Sequence, residues 1–231
     1  MVTDMKYKNI KEGIFISRPN RFIANVDIGG ETVVCHVKNT GRCRELLIPG
    51  VRVFLEESDN PLRKTKYDLV SVYKGDKLFN IDSSAPNKVF GEWLRTSGFF
   101  GEKAYIKPEC KYKNSRFDFY VETDNRKIFA EVKGVTLEEN GVLMFPDAPT
   151  ERGVKHIREL VECVKMGYEG YIIFIIQTDK AKYFTPNRKT HPDFADALSD
   201  AEKSGVKILC LCCSVSADGI FVKESVNYII D

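Results

Sequence analysis

Residues Ser115 to Lys133 read S-R-F-D-F-Y-V-E-T-D-N-R-K-I-F-A-E-V-K. Two strand-like alternations flank a polar break at Thr123-Asp124-Asn125-Arg126, a β-hairpin pattern. With the loop centred between Asp124 and Asn125, Asp118 falls opposite Glu131, and Arg116 falls opposite Lys133 on the same face. The other face would then carry Phe117, Phe119, Val121, Ile128, Ala130 and Val132. A slip of one residue would turn one strand's apolar set toward water, so the apolar face fixes the register.

That register sets two carboxylates side by side, which on a sheet is destabilising unless something offsets it. A cation, a shared proton or the flanking Arg116 and Lys133 could do so. Two carboxylates beside an amine can hold one hard cation, leave positions for water and phosphate, and steady developing phosphate charge, as a Mg²⁺-dependent phosphodiesterase requires. An ion-paired, solvent-facing sheet surface is the competing reading.

The rest of the chain sets bounds. Its 231 residues, 43% of them hydrophobic, can bury a proper core in one large domain or two small ones. It has no apolar run long enough to span a membrane and no secretory pattern at Met1 to Lys11. Its seven cysteines mostly sit in apolar runs and form no His/Cys cluster at zinc spacing. They read as reduced core thiols of a cytoplasmic protein. Residues 1–80 hold 14 Lys and Arg against 10 Asp and Glu, and residues 81–231 hold 21 against 23. The slightly basic first part suits a polyanion.

That first part reads as all-β. Strands are expected at Gly13–Arg18, Arg21–Ile28, Glu31–Val37, Val51–Glu57, Tyr67–Tyr73 and Lys77–Ile81, with a Gly29-Gly30 hairpin turn. Thr40 could cap a short helix ended by Pro49-Gly50. Five or so strands with one helix after the third match a small OB-type barrel, a fold that often binds single-stranded nucleic acid. Its candidate contacts include Arg18, Arg21, Lys38, Asn39, Thr40, Arg42 and Arg44. The alternative is a solvated basic loop.

Asp82 to Pro86 is a plausible boundary, giving a barrel domain over 1–82 and a second domain over 83–231. Ser84 then caps a helix ended by Gly98, with Val89, Phe90, Trp93 and Leu94 as its apolar stripe. Glu92, beside that stripe, could join the carboxylates or face solvent. Beyond the hairpin, Asn140-Gly141 marks another hairpin that would extend the sheet, and Thr150 caps a helix to Gly167. Arg152 and Lys155 lie in that helix's first turns, where free backbone N–H groups favour anions. His156 beside core positions reads as a hydrogen-bonded structural histidine rather than a base. Gly170 to Gln177 is a strand buried on both faces, and Phe184 to His191 reads as loop. A helix over Pro192–Lys203 and strands at Val206–Cys212 and Ile220–Val222 complete a mixed sheet with helices on both sides.

The order helix with Glu92, strand with Asp118, strand with Glu131-x-Lys133, helix, buried strand resembles the PD-(D/E)XK nuclease core. The stretches Asn39-Thr40-Gly41-Arg42, Asn114-Ser115-Arg116-Phe117-Asp118, Glu131-Val132-Lys133, Phe145-Pro146-Asp147-Ala148 and Thr150-Glu151-Arg152-Gly153, with Lys155-His156, together resemble the sugar fermentation stimulation protein A family. That resemblance covers nearly the whole chain. It implies an α/β (α+β) protein with an N-terminal OB-like β-barrel followed by a mixed-sheet PD-(D/E)XK nuclease-like domain. It implies DNA binding linked to regulation of bacterial sugar (maltose) metabolism. It also implies Asp118 and Glu131 as metal ligands, Lys133 as catalytic and Glu92 as a supporting acid.

The expected protein is therefore a DNA-binding nuclease holding Mg²⁺ or Mn²⁺ on Asp118, Glu131 and the Val132 carbonyl. Arg116, Arg152 and Lys155 join the barrel residues as nucleic-acid contacts. A non-catalytic transcription regulator that retains the nuclease shape is the alternative. No membrane association is expected, and an exposed hydrophobic edge could support a homodimer.

Overall fold

The computed structural model describes residues 5–39, 41–113 and 115–230. Strand β1 (Met5–Lys6) is followed by β2 (Ile10–Asn20), β3 (Ile23–Ile28), β4 (Glu31–Val37), β5 (Arg52–Glu57), β6 (Tyr67–Lys74) and β7 (Lys77–Asn80). Strands β2 to β7 form one antiparallel sheet in the order β4-β3-β2-β5-β6-β7, and β4 closes it by pairing in parallel with β6. The result is a closed five-stranded OB-like barrel with β7 appended. Alternation along the strands points Phe15, Val26, Cys35, Val53, Leu69 and Phe79 into one core.

The helix expected after β4 is only a turn. Leu46 and Leu47 both donate to the Cys43 carbonyl, and Cys43 itself has φ 45°, outside the helical region. Thr40, the expected cap, lies outside the described residues.

Helix α1 (Ala85–Ser97) starts after Ser84 with Pro86 in its first turn and ends at Gly98 with φ 64°, but the Ser84 hydroxyl expected to cap it donates to Asp82 Oδ1 at 2.7 Å instead. Strands β8 (Tyr105–Tyr112), β9 (Ser115–Glu122) and β10 (Lys127–Val135) follow, then the short β11 (Leu137–Glu139) and β12 (Val142–Phe145). Helix α2 (Glu151–Lys165) is capped by Thr150, whose hydroxyl accepts from Gly153 N–H. Next come β13 (Glu169–Ile176), β14 (Tyr183–Pro186), α3 (Pro192–Lys203), β15 (Lys207–Ser216) and β16 (Gly219–Ser225).

The second sheet runs β1-β16-β15-β13-β10-β9-β8, with β10, β13 and β15 parallel. Its seven strands separate two cores. Phe90, Val89 and Leu94 of α1 cover one face, while Val154, Ile157 and Leu160 of α2 and Phe194 and Leu198 of α3 cover the other. Tyr171 to Ile176, buried on both faces, occupies the middle.

Two sequence expectations need correction here. The β11–β12 hairpin does not extend the large sheet; it forms a separate three-stranded sheet with β14, in a segment read as loop. That pairing joins residues some forty positions apart and has no local signature. The first strand also pairs with β16 of the second sheet before the chain enters the barrel.

The two halves pack through apolar groups, with Phe54, Val70 and Leu78 of the barrel joining the core under α1, and through polar ones. Glu138 accepts from Lys74 Nζ and Lys77 Nζ, both at 2.7 Å. Gln177 Nε2 donates to Asn80 Oδ1 (2.9 Å) and to the Asp82 carbonyl (3.2 Å), and Asn80 Nδ2 donates to Tyr7 Oη (2.8 Å). These are mostly buried groups, and each finds a partner.

Candidate metal and nucleic-acid site

The hairpin adopts the register its alternation requires. Lys127, Ile128, Phe129 and Ala130 pair with Glu122, Val121, Tyr120 and Phe119. The ladder stops there, one step short of Asp118 and Glu131. In its place, Val132 N–H donates to Asp118 Oδ2 at 2.8 Å. On the other side of β9, the pairing with β8 passes over Glu109 and Asp118, and Glu109 has φ 56°.

At this break the alternation resets. Phe119, Val121, Ile128, Ala130 and Val132 pack under α1, as expected, but Phe117 joins the core under α2. The shared face for both acids is corrected in the same way. Asp118 is gripped from the α1 side, where Asn87 Nδ2 donates to its Oδ1 at 2.8 Å. Glu131 is gripped from the α2 side, where His156 Nδ1 contacts its Oε1. Both acids therefore lie at the interruption in the strand pair, not on a continuous sheet surface.

Burial, then the neighbouring Glu131 charge, push the Asp118 carboxyl above its ordinary range. Burial also works against ionised Glu131, but the hydrogen bond from His156 and the charge and hydrogen bond of Lys133 prevail and hold it below its ordinary range. Lys133 Nζ lies 2.6 Å from Glu131 Oε1. The other oxygen, Oε2, is buried with no hydrogen-bond partner. A buried, bare carboxylate oxygen is costly unless something positive meets it.

Glu92 lines a hollow of about 350 Å³ between α1 and β8–β9, together with Asn87, Lys88 and Asp118. Among the described residues, no three His, Cys, Asp or Glu side chains converge as a ready-made metal cage. A small hard cation on two carboxylates would complete its shell with water and substrate oxygens, the usual habit of Mg²⁺.

The basic candidates divide by environment. Arg21, Arg42 and Arg44 are exposed and line a barrel hollow of about 520 Å³, with Arg21 stacked 5.0 Å from the centre of the exposed Phe22 ring. Arg18 borders the same hollow but donates to the carbonyls of Arg21, Asn39, Gly41 and Arg42, bracing the loop from within. Asn39 also works inside the loop, donating to the Ile81 carbonyl and accepting from Gly41 N–H. Lys38 pairs with buried Asp68 at 2.9 Å and lies near Glu56 and Asp82.

Elsewhere, Arg116 is exposed and pairs with Glu109 at 2.9 Å, Lys155 lies 3.8 Å from Glu159, and Arg152 Nε points at His156 Nε2 from 3.4 Å. Arg42 N–H donates to Asp147 Oδ2 at 2.9 Å, tying the barrel loop to the loop before α2. The sequence reading missed Asn87 and Asp147 as members of these contacts. Their only advance signals were the polar residue in the first turn of α1 and the Pro-flanked acid before Thr150.

No described helix is long and apolar enough to cross a membrane. Described thiols are all free, and apart from Cys110 they are buried.

Comparison with known proteins agrees with this layout. The model of the sugar fermentation stimulation protein RE domain matches residues 84–219, and that of the SfsA N-terminal OB domain matches residues 16–81. The chain is 65% identical over 216 residues to the sugar fermentation stimulation protein homolog of Desulfitobacterium hafniense strain DSM 10664 / DCB-2, covering 94% of each protein. It is 56% identical over 226 residues to the homolog of Clostridium beijerinckii, covering 98% of this chain and 100% of that one. A solved structure of Pyrococcus furiosus SfsA in complex with Ca²⁺ superimposes with a TM-score of 0.89 at 28% identity, over 99% of this chain and 100% of that chain. With the barrel and the half that follows it both matched in this order, the chain belongs to the sugar fermentation stimulation protein family.

Proposed function

We propose that this protein is a divalent-metal-dependent phosphodiesterase acting on DNA, with its cation held by Asp118, Glu131 and the Val132 carbonyl. The observation that carries the reading is the pair of carboxylates at the strand break, Asp118 held by Asn87 and the Val132 N–H and Glu131 with its Oε2 bare in the interior. Those features fit an oxygen-seeking cation, and the related Pyrococcus furiosus protein has been solved with Ca²⁺. A bound Mg²⁺ or Mn²⁺ would act as a Lewis acid on phosphate and bound water. Lys133, fixed 2.6 Å from Glu131, presents an ammonium that would steady charge developing on the phosphate. Asn87 holds Asp118 in place from α1, and Glu92 adds negative charge to the hollow beside it.

The barrel supplies the grip on the polyanion. Arg21, Arg42 and Arg44 are the exposed cations at its hollow, and Phe22 offers a face for a base. The relatives' names speak of sugar fermentation, a phenotype that a nuclease or a DNA-bound regulator could each produce.

Purified protein incubated with labelled single- and double-stranded DNA and Mn²⁺ tests the reading. Cleavage that disappears in Asp118→Ala is expected. Absent cleavage, or cleavage indifferent to that substitution, rejects the enzyme. Salt-sensitive DNA retention without cleavage would point to the binding regulator instead.

A further inference from the structure

We infer that His156 is a positioning residue: it fixes the Glu131 carboxylate so that Oε2, not Oε1, is the atom offered to the divalent cation. The inference rests on the metal reading proposed above and assigns roles to individual atoms within it.

His156 lies on the buried side of α2, next to core residue Ile157, and it is 6% exposed. Four residues earlier, Arg152 shares that helical face. Arg152 Nε–H is directed at His156 Nε2 from 3.4 Å. A guanidinium can only donate, so Nε2 is the accepting nitrogen and the ring proton resides on Nδ1. Nδ1–H then donates to Glu131 Oε1. The tautomer is thus set by the neighbour on one side and used on the other.

Glu131 Oε1 receives Lys133 Nζ as well, at 2.6 Å. One oxygen of the carboxylate is therefore held by two donors on different elements, while its twin is buried and unpartnered. A carboxylate pinned this way cannot rotate to exchange its oxygens without breaking both contacts. Outer partners of this kind orient a ligand, and their loss typically lowers metal affinity or activity about 10- to 100-fold.

The test uses the full chain and reads metal binding separately from cleavage. Mn²⁺ binding would be measured by calorimetry for the wild type, His156→Phe and His156→Asn. Phe fills the space and removes the donor, whereas the Asn amide can place an N–H near the position of Nδ1. The half-saturating Mn²⁺ concentration is expected to rise about 10- to 100-fold in His156→Phe, and to return most of the way to wild type in His156→Asn. DNA retention without metal should be unchanged in both.

Nitrogen-15 spectra of the wild-type imidazole give a readout independent of any variant's folding, and the proton should be found on Nδ1. A folded His156→Phe with wild-type Mn²⁺ affinity overturns the positioning role, as does a proton found on Nε2. Wild-type protein that binds Mn²⁺ but cuts nothing defeats the nuclease reading and leaves this inference to the binding shift. Wild-type protein that binds no divalent ion defeats both.

Discussion

The backbone N–H of Val132 donates to Oδ2 of Asp118 at 2.8 Å, directly beyond the last rung of the ladder between β9 and β10. A side-chain carboxylate stands where the next strand carbonyl would be expected. The regular ladder ends at the very residues that carry the acids. The substitutions Asp118→Asn and Asp118→Ala should therefore behave differently in stability and alike in function. Asn keeps an oxygen for Val132 N–H, turns its NH2 toward Asn87, whose amide accepts it by flipping, and removes the repulsion with Glu131, so the melting temperature should not fall. Ala leaves a buried N–H unpaired and should cost about 1–3 kcal/mol. Both should lose Mn²⁺ binding by calorimetry.

Acid should loosen the grip between the two halves. Glu138 is buried, and despite that burial Lys74 and Lys77 hold its carboxyl down from an ordinary 4.5 to about 2. A depressed carboxyl contributes stability that is complete above the unfolded value and drains away as pH falls toward the folded one. The contribution should therefore be full above about pH 5 and lost between about pH 4.5 and 2. Glu138→Gln should be less stable than wild type by about 2–3 kcal/mol at neutral pH. Denaturant melts at descending pH should show the two proteins converging.

Gly134 marks a close approach. A Cβ there would lie 2.5 Å from Gln177 Oε1 and 2.7 Å from Pro86 Cγ, at the seam where β10, the end of β13 and the start of α1 meet. Gly134→Ala should destabilise the protein by about 1–3 kcal/mol through overpacking. Because Lys133 is the adjacent residue, cleavage should weaken more than the stability loss alone predicts at a temperature where the variant stays folded.

The arginines of the barrel should separate by role. Arg42→Ala or Arg44→Ala should each lower the slope of log affinity against log salt by about 1, as expected for one lost phosphate contact. Lys38→Ala should leave that slope alone and lower the melting temperature, because Lys38 is engaged with Asp68. Filter retention across a salt series and a thermal melt distinguish the two.

Much of this arrangement could be read from the residues themselves. The apolar alternation at Phe119, Val121, Ile128 and Ala130 fixes the hairpin register, because any slip would expose it. Phe117 belongs to the same written pattern but not to the same core. The change falls where the pairing with β8 passes over Glu109 and Asp118, an interruption that nothing in the sequence of β9 reveals. Arg18 and Arg42 look equivalent as written, and only the folded loop shows one bracing carbonyls and the other exposed. His156 carried the marks of a structural histidine. It is one, yet the group it braces is a candidate ligand, a fact that depends on the parallel packing of β10 and β13 beneath α2.

The pairing of Met5 and Lys6 with Ile220 and Gly219, reinforced by Tyr7 N–H on the Asp218 carbonyl, makes the chain begin its described course in the far half and only then cross into the barrel. A cut between the two halves would sever that pairing. A gene fragment starting at residue 83 would arrive with β16 bare along one side, open to pairing with a stranger. Recombination that swapped only the front of the gene would have to bring a matching border strand with it.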